Sequence, residues 1–309
     1  MPFWWIAFTI LILGLLALDL GVFNRKAHVI HLKEALLWTS FWVSLGLLFG
    51  VGIYYFHGHH KAMEYFAGYL IEYSLSVDNL FVFLLIFQYF QVPHKLEHKA
   101  LFWGILMALI TRAIFIFAGV ALINKFHWII YIFGVFLIFT AARMALGKGH
   151  EIHPGKNILV RLLRKIMPVT RNYQEGHFFV VKRGVRFATP LLAVILALET
   201  TDIIFAVDSI PAVLAITKDQ FIIYTSNVFA ILGLRSMFFA ISGIMRIFHY
   251  LQYGLVAVLS FVGVKMLISD FYKIPINISL GLIAGFLAIS IIASLIWPKP
   301  MEEPAIKAK

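Results

Sequence analysis

Long apolar segments alternate with short polar or charged breaks along almost the whole chain. Nine of these segments are predicted to be helices, at residues 3–23, 36–56, 65–90, 100–123, 127–146, 189–216, 221–244, 253–271 and 277–297. A helix of ~20 apolar residues crosses the ~30 Å hydrocarbon core of a bilayer. The pattern therefore predicts an all-α polytopic membrane protein with about nine transmembrane helices.

The composition agrees with lipid as the solvent. Hydrophobic residues make up 61% of the 309 residues and charged residues only 13%, whereas soluble domains carry about 25% charged residues. The sequence contains no Cys, which excludes disulfides, thiolate metal sites and Cys nucleophiles. The first segment has neither a basic leader nor a small-residue cleavage site, so it is predicted to be a retained span.

Basic residues are distributed unevenly between the two sides that nine spans would create. Of the 26 Lys and Arg residues, 18 fall on one side, four lie within spans, and four (Lys61, Lys125, Lys218 and Lys273) fall on the other side. Because basic residues collect in cytoplasmic loops, we expect the N-terminus outside and the C-terminus in the cytoplasm. The same rule accounts for the net charge of +11 without nucleic acid.

The longest connection, residues 147–187, is basic and predicted to be cytoplasmic, with a short amphipathic helix at 157–166 that could lie in the interface. The run HGHH at 57–60 is predicted to be a solvated outer loop.

Helices three to five resemble helices six to eight. Phe126-His127-Trp128 recurs as Phe248-His249-Tyr250, and Val77-Asp78-Asn79 recurs as Val207-Asp208-Ser209. A repeat of three helices reverses its orientation in the membrane, as in many secondary transporters. The predicted organisation is two peripheral helices (1–60), a first repeat (61–146), the basic loop (147–187), an inverted second repeat (188–273), and a ninth helix with a cytoplasmic tail (274–309).

Six acidic residues fall within the predicted spans: Asp19, Glu72, Asp78, Glu199, Asp202 and Asp208. A charged side chain at the centre of a bilayer costs roughly 2.5–3.5 kcal/mol on insertion scales, so each acid needs a partner, a proton, water or a cation. Structural pairing with the four intramembrane bases (Arg112, Arg143, Arg235 and Lys265) is one interpretation. The acids, however, concentrate on the first helix of each repeat and the bases on the other two, which favours a cation or proton pathway.

Two pairs of acids, Glu72/Asp78 and Asp202/Asp208, are six residues apart and point about 120° apart on a regular helix. Either the helix unwinds between them or they form two successive stations. Pro211 leaves the carbonyl of Val207 without its helical donor, which indicates either an oxygen ligand or a simple kink. Carboxylate, amide and carbonyl oxygens suit Mg²⁺, Mn²⁺ and Ca²⁺.

Two segments, EYSLSVDNLFVFLLIF (72–87) and ETTDIIFAVDSIPAVLAIT (199–217), resemble the two signature helices of the TerC family. The segments SNVFAILGLRSMFF (226–239), LDLGVFNRKAHVIHLKEAL (18–36) and FWGILMALITRAIFIF (102–117) also resemble it. The likeness extends over about residues 10–297. It implies a nine-helix inner-membrane protein related to the LysE superfamily of exporters, with a role in metal-ion homeostasis, chiefly manganese efflux, and an association with tellurite resistance.

The resemblance also implies a set of site residues. The expected metal ligands are Glu72, Asp78, Asn79, Glu199, Asp202, Asp208 and Ser209. The expected gating or counter-charge residues are Arg112, Arg235, Arg143 and Lys265, and the secondary polar residues are Asn227, Ser76 and Asp19. The expected partners are a divalent metal ion as transported substrate, protons and the lipid bilayer, with no permanently bound cofactor.

Three other functions stay open from the sequence. An exporter of an anionic or amphoteric solute would use Arg112 and Arg235 as ligands. A membrane scaffold could supply metal to secreted proteins. An intramembrane aspartyl hydrolase is disfavoured, because the flanking sequences do not resemble one and no hydrolytic Ser or His constellation is evident.

Overall fold

The computed structural model describes residues 2–18, 32–146, 157–182, 184–244 and 250–297. Within these residues the chain forms eleven α-helices, a short 3₁₀ turn at Gln174–Gly176 and one antiparallel β-hairpin. The helices are α1 (Pro2–Leu18), α2 (Leu32–His57), α3 (His59–Phe90), α4 (His94–Lys125), α5 (Ile129–Ala145), α6 (Ile158–Ile166), α7 (Pro190–Leu214), α8 (Gln220–Leu232), α9 (Leu234–Ile244), α10 (Leu251–Leu267) and α11 (Ile276–Ile296), and the strands are β1 (Phe179–Lys182) and β2 (Val185–Ala188).

Six helical stretches are long and apolar enough to cross a membrane: α2, α3, α4, α7, α11 and the stretch Gln220–Ala240, which joins α8 to most of α9. Three shorter apolar helices lie in α1, α5 and α10. The prediction of an all-α polytopic membrane protein is confirmed. The nine stretches match the nine predicted segments, while nine crossings stays a prediction because length and composition alone define these stretches.

Several helix ends differ from the predicted ones. α3 begins at His59 instead of residue 65, and α4 begins at His94 instead of residue 100. The polar HGHH run is therefore not an extended loop. Gly58 alone joins α2 to α3 with a φ of 86°, a left-handed conformation that glycine adopts without a steric penalty.

The predicted helix at 221–244 is interrupted at Gly233, which separates α8 from α9. Glycine is a weak helix former. A Cβ at this position would lie 3.4 Å from the Cβ of Trp42, an ordinary van der Waals distance, so packing against α2 does not itself require glycine here.

The basic connection between α5 and α7 contains the predicted amphipathic helix, α6. The side chain of Asn157 caps α6 by accepting the N–H of Val160 at 3.2 Å, and it also accepts the hydroxyl of Thr200 on α7 at 3.3 Å. Val160 is buried, whereas Ile158 and Ile166 are exposed. The hairpin β1–β2 was not predicted, although its β-branched residues and Gly184, with a φ of 77°, are typical of a hairpin.

The first helices of the two predicted repeats, α3 and α7, run antiparallel at their contact. Gly68 lies against Val213, and one turn further along α3, Glu72 shares a hydrogen-bonding partner with Ser209. In the third helices, α5 and α10, Gly134 lies against Gly263 and the side-chain amide of Gln252 donates to the carbonyl of Met144. These two helices therefore run antiparallel as well.

Other contacts across the two predicted repeats join helices that run parallel. α4 runs parallel to α7, since Thr111 contacts Glu199 and Gly119 lies against Leu214. α3 runs parallel to α8 and α9, since Gly68 lies against Ser226 and Phe87 contacts Phe238. An inverted repeat requires these directions, although the repeat itself stays a prediction. Outside this core, α2 packs on α3 and α9, and α11 packs on α10 and α3.

We expect Gly263→Ala to destabilise the protein by about 1–3 kcal/mol, the usual range for overpacking. The new Cβ would lie 2.9 Å from the carbonyl oxygen of Gly134 and 2.8 Å from Cγ1 of Ile138, so α5 and α10 would have to separate. Thermal unfolding in detergent measures the effect. The control is Gly281→Ala on α11, where a Cβ meets nothing within 4 Å. Equal melting temperatures for the two variants would contradict the tight α5–α10 contact.

Candidate functional site

Arg112, near the middle of α4, lies at the centre of a buried ion cluster. Its Nη1 donates to Glu72 on α3 and, at 3.1 Å, to the hydroxyl oxygen of Ser209 on α7. Its Nε and Nη2 donate to the two carboxylate oxygens of Asp202 on α7, at 3.2 and 2.9 Å. Such a bidentate ion pair, with two hydrogen bonds between the guanidinium and the carboxylate, is a strong interaction. We call Arg112, Glu72, Asp202 and Ser209 the central ion cluster.

The cluster is closed off from solvent. The exposed fractions of Glu72, Arg112 and Asp202 are 0%, 1% and 3%. Two carboxylates share a single guanidinium, so a negative charge is left over if both acids are ionised. Breaking a buried ion pair by removing one partner costs about 3–5 kcal/mol, since the other charge stays buried and unpaired. The cluster therefore fixes α3, α4 and α7 relative to one another.

A second carboxylate site adjoins the cluster. The hydroxyl of Thr111, the neighbour of Arg112 on α4, donates to Oε1 of the buried Glu199 on α7. Glu199 precedes Asp202 by three residues, a spacing that places both on one face of a helix. The face of α7 directed at α4 thus carries two carboxylates against one arginine.

The side chain of Asp208 contacts a different helix from that of Asp202. It accepts the hydroxyl of Thr140 on α5 at 3.2 Å and lies six residues after Asp202, about 120° away around the helix. α7 is continuous through both residues and through Pro211. The sequence left two possibilities for Asp202 and Asp208: an unwound helix between them, or two successive positions on a regular helix. The structure shows the second, since α7 is intact between the two acids.

The other predicted ligands lie in different surroundings. Asp78 lies on α3, but its side chain and the whole of Asp19 fall outside the described residues. Asn79, Ser76 and Asn227 are all buried. Neither the Ser76 hydroxyl nor either polar atom of the Asn227 amide has a hydrogen-bond partner in the part of the chain that the structure describes.

The predicted counter-charges do not gather at one place. Among the contacts given for the described residues, Arg112 is the predicted base that pairs with the acids of the central ion cluster. Arg235 lies half-buried on α9, and Arg143 is exposed in the last turn of α5. Lys265 on α10 donates to the hydroxyl oxygen of Ser279 on α11 at 3.0 Å.

Unsatisfied oxygen atoms accompany the cluster. Oε2 of Glu72 and Oε2 of Glu199 are buried without a hydrogen-bond partner among the described residues. An unmade hydrogen bond of this kind costs about 1–3 kcal/mol, and more for a charged group. Oxygen atoms of this type are ligands for hard divalent cations.

In the described ranges, no three His, Cys, Asp or Glu side chains are grouped so that they could hold a metal ion. The geometry explains this result, because the guanidinium of Arg112 lies between Glu72 and Asp202. The carboxylates contact this cation instead of each other.

Sequence reasoning did not identify Thr111 and Thr140, the hydroxyl donors to Glu199 and Asp208. Their position within apolar helices gives no signal, since a helical threonine commonly bonds a carbonyl of its own helix. Thr201 shows this ordinary behaviour, donating to the carbonyl of Ala197 at 2.8 Å. Adjacency to Arg112 was the one clue available for Thr111.

Residues 57–302 match the integral membrane protein TerC family. The chain is 53% identical to an uncharacterised membrane protein, STKORF319, of Myxococcus xanthus, over 96% of this chain and 92% of the relative. It is 45% identical to a protein of Escherichia coli strain K12, over 94% of each chain, which is described as a proposed membrane-bound redox modulator, Alx. No solved structure matches the chain.

This protein belongs to the TerC family. The matched range contains both acid-bearing helices, α3 and α7, and all residues of the central ion cluster. The resemblance read from the sequence is therefore confirmed at the level of the family.

We expect Arg112→Met to destabilise the protein by about 3–5 kcal/mol, because it leaves Glu72 and Asp202 buried without their cation. Adding Glu72→Gln and Asp202→Asn to the same protein should restore most of the loss, since neutral amides need no counter-charge. Thermal unfolding in detergent compares the single and triple variants with wild type. If the triple variant is less stable than Arg112→Met alone, Arg112 does not stabilise the protein by neutralising the charges of Glu72 and Asp202.

Proposed function

We propose that this protein is a secondary transporter that exports divalent cations, chiefly Mn²⁺, in exchange for protons. We place it in the bacterial cytoplasmic membrane, with its N-terminus outside and its C-terminus in the cytoplasm. The observation that carries the proposal is the central ion cluster: acids from two antiparallel helices share one arginine at a fully buried position. An ion-transport pathway is the usual reason for ionisable groups inside a membrane bundle.

In this proposal the guanidinium of Arg112 occupies the cation-binding site when no metal ion is bound there. A divalent cation would neutralise both Glu72 and Asp202, whereas the single charge of Arg112 leaves one negative charge in excess. The Ser209 hydroxyl and the second oxygen of Glu72 supply further oxygen ligands of the kind that Mn²⁺ accepts. Cation binding and release of Arg112 from the carboxylates would therefore occur together.

Asp208 provides a second station. Six residues of helix separate it from Asp202, which corresponds to ~9 Å along α7 at 1.5 Å per residue. The carbonyl of Val207, which Pro211 deprives of its helical donor, is a further oxygen beside it. A cation leaving the central ion cluster would reach Asp208 next.

Protons supply the driving force in this mechanism. Exporting two positive charges against 100 mV costs roughly 4.6 kcal/mol, at ~2.3 kcal/mol per charge. The sequence carries no phosphate-binding loop of the GxxxxGK type. Protonation of Asp78 or Asp208 from the outside would weaken metal binding and favour release, and deprotonation on the cytoplasmic side would restore the site.

The hydrogen bonds of Arg112 support a cation over an anionic solute. Four of the five N–H groups that a guanidinium carries are already donated, three to acids and one to Ser209. An anion would have to displace two carboxylates that are built into the protein. The redox role in the name of the Escherichia coli relative cannot rest on thiol chemistry in this chain, which has no Cys.

Transport into inside-out vesicles with an acidic lumen tests the proposal. We expect Mn²⁺ uptake in wild type and a loss of at least about tenfold, equivalent to about 1.4 kcal/mol, in Glu72→Gln, Asp202→Asn and Asp208→Asn. Each variant removes one charged ligand but keeps the shape of the side chain. The matched control is Glu97→Gln, in the first turn of α4, whose carboxylate contacts His94 at 2.9 Å.

Uptake at the wild-type rate in all three site variants would refute the carboxylate pathway. Uptake that is the same with and without the pH gradient would refute proton exchange while leaving cation export intact.

A further inference from the structure

A cavity of 530 Å³ lies at the end of the protein that the charge distribution places outside the cell. It opens where the start of α5, the α7–α8 connection and the α10–α11 connection meet. Its titratable lining residues are His60, His127, Lys218, Lys265, Asp270, Tyr272 and Lys273. No residue of the central ion cluster lines it, so within the described part of the chain it is distinct from the proposed cation site.

The lining carries an excess of positive charge. Three ammonium groups face a single carboxylate, that of Asp270, which already has partners. The hydroxyl of Tyr131 donates to it at 2.6 Å, and Nε2 of His127 lies 3.1 Å away. Hydrogen bonds from Tyr131 and His127 hold the pKa of Asp270 below its usual range, so this carboxylate is ionised and still leaves two positive charges unbalanced.

Neighbouring acids balance these lysines only in part. Two carboxylates at the same end of the protein, of Glu64 and Asp219, share the single ammonium of Lys61 at 3.0 Å, and Glu64 also accepts the hydroxyl of Thr217. Glu64 also interacts electrostatically with Lys265, so one positive charge stays in excess. In the described ranges, Lys218, Lys265 and Lys273 form no ion pair with any acid.

Lys265 and Ser269 give the clearest sign of a ligand. Lys265 is half-buried on α10, and its Nζ donates to the hydroxyl oxygen of Ser279 at 3.0 Å. Moving a charge away from water is unfavourable unless an opposite charge accompanies it. The buried hydroxyl of Ser269 has no hydrogen-bond partner among the described residues. A bound anion would satisfy both groups.

Membrane topology does not explain why these three lysines lie together, and helix dipoles explain it only in part. The N-terminal ends of α3, α5 and α11 border the cavity, and so do the C-terminal ends of α7 and α10, so their partial charges oppose one another. Of the three lysines, Lys265 lies in the last turn of a helix. Basic residues that fix topology collect in cytoplasmic loops, whereas Lys218 and Lys273 belong to the four basic residues assigned to the opposite side.

We propose that this cavity binds a phosphate group through Lys218, Lys265 and Lys273, with Ser269 as an additional hydrogen-bond donor. Lysine ammonium groups are common phosphate ligands, and the volume lies within the ~300–1,000 Å³ range of small-molecule sites. The phosphate belongs either to a free anion or to the headgroup of an anionic phospholipid. The ligand would contact the outer end of α7, the helix that carries Asp202 and Asp208.

Two binding measurements on the purified full-length protein distinguish the sources. Equilibrium dialysis with radiolabelled inorganic phosphate in a neutral detergent tests a free anion. Native mass spectrometry after incorporation into phosphatidylcholine nanodiscs, with and without phosphatidylglycerol, tests a lipid headgroup. The variants are Lys265→Met and the double variant Lys218→Met/Lys273→Met. Because its two lysines are exposed, we expect the double variant to fold.

Lys125→Met is the matched control, since Lys125 lies at the same end with its Nζ over the ring of Phe126 and does not line the cavity. We expect wild type to bind phosphate or retain phosphatidylglycerol. Both cavity variants should lose at least about tenfold in affinity while the control is unchanged, and Asp270→Asn should raise the affinity. Binding of phosphate alone identifies a free anion, and retention of phosphatidylglycerol alone identifies a lipid.

The proposal is overturned if wild type binds neither ligand. It is equally overturned if Lys125→Met loses as much affinity as the double variant, or if Asp270→Asn weakens binding. Because no divalent cation is present in either measurement, the result is independent of the proposed export function.

Discussion

The burial of charge in an apolar bundle is the constraint on which the rest of this structure depends. Glu72, Arg112 and Asp202 are withdrawn from solvent almost completely, and each would be strongly unfavourable there without the others. Their mutual hydrogen bonds require α3, α4 and α7 to meet at one level. α3 and α7 run antiparallel through this meeting point, since Gly68 lies against Val213 one turn away.

In the proposed mechanism, the same balance of charges allows the central ion cluster to change between two arrangements. A guanidinium that two carboxylates share is held firmly, yet it leaves charge and oxygen atoms unsatisfied, including one oxygen of Glu72 and one of Glu199. A cation of higher charge can compete for these groups where a neutral solute cannot. In the proposed mechanism the cluster alternates between two arrangements, one with Arg112 and one with a divalent cation, as a secondary transporter requires.

Much of this could be predicted from the sequence. The apolar segments and the acids within them identified the membrane fold, the family and the importance of α3, α7 and Arg112. The Gly58 connection, the break at Gly233 and the β-hairpin were missed, because each depends on local backbone conformation or packing that an apolar pattern does not record. The role of Lys265 as a counter-charge stays a prediction, and its hydrogen bond to Ser279 on α11 was not foreseen. The hydroxyl donors Thr111 and Thr140 were not predicted, since a helical threonine commonly bonds a carbonyl of its own helix, and only the adjacency of Thr111 to Arg112 offered a clue.

Competition between Arg112 and a divalent cation for the same carboxylates is the central claim, and Mn²⁺ affinity measures it directly. Electron paramagnetic resonance of free Mn²⁺ gives the affinity of purified wild type and of Arg112→Met, with Arg112→Met/Glu72→Gln/Asp202→Asn as the control. The account predicts that removing the arginine tightens Mn²⁺ binding at least about tenfold, equivalent to about 1.4 kcal/mol, and that the triple variant loses it. Equal affinities for wild type and Arg112→Met would contradict the claim.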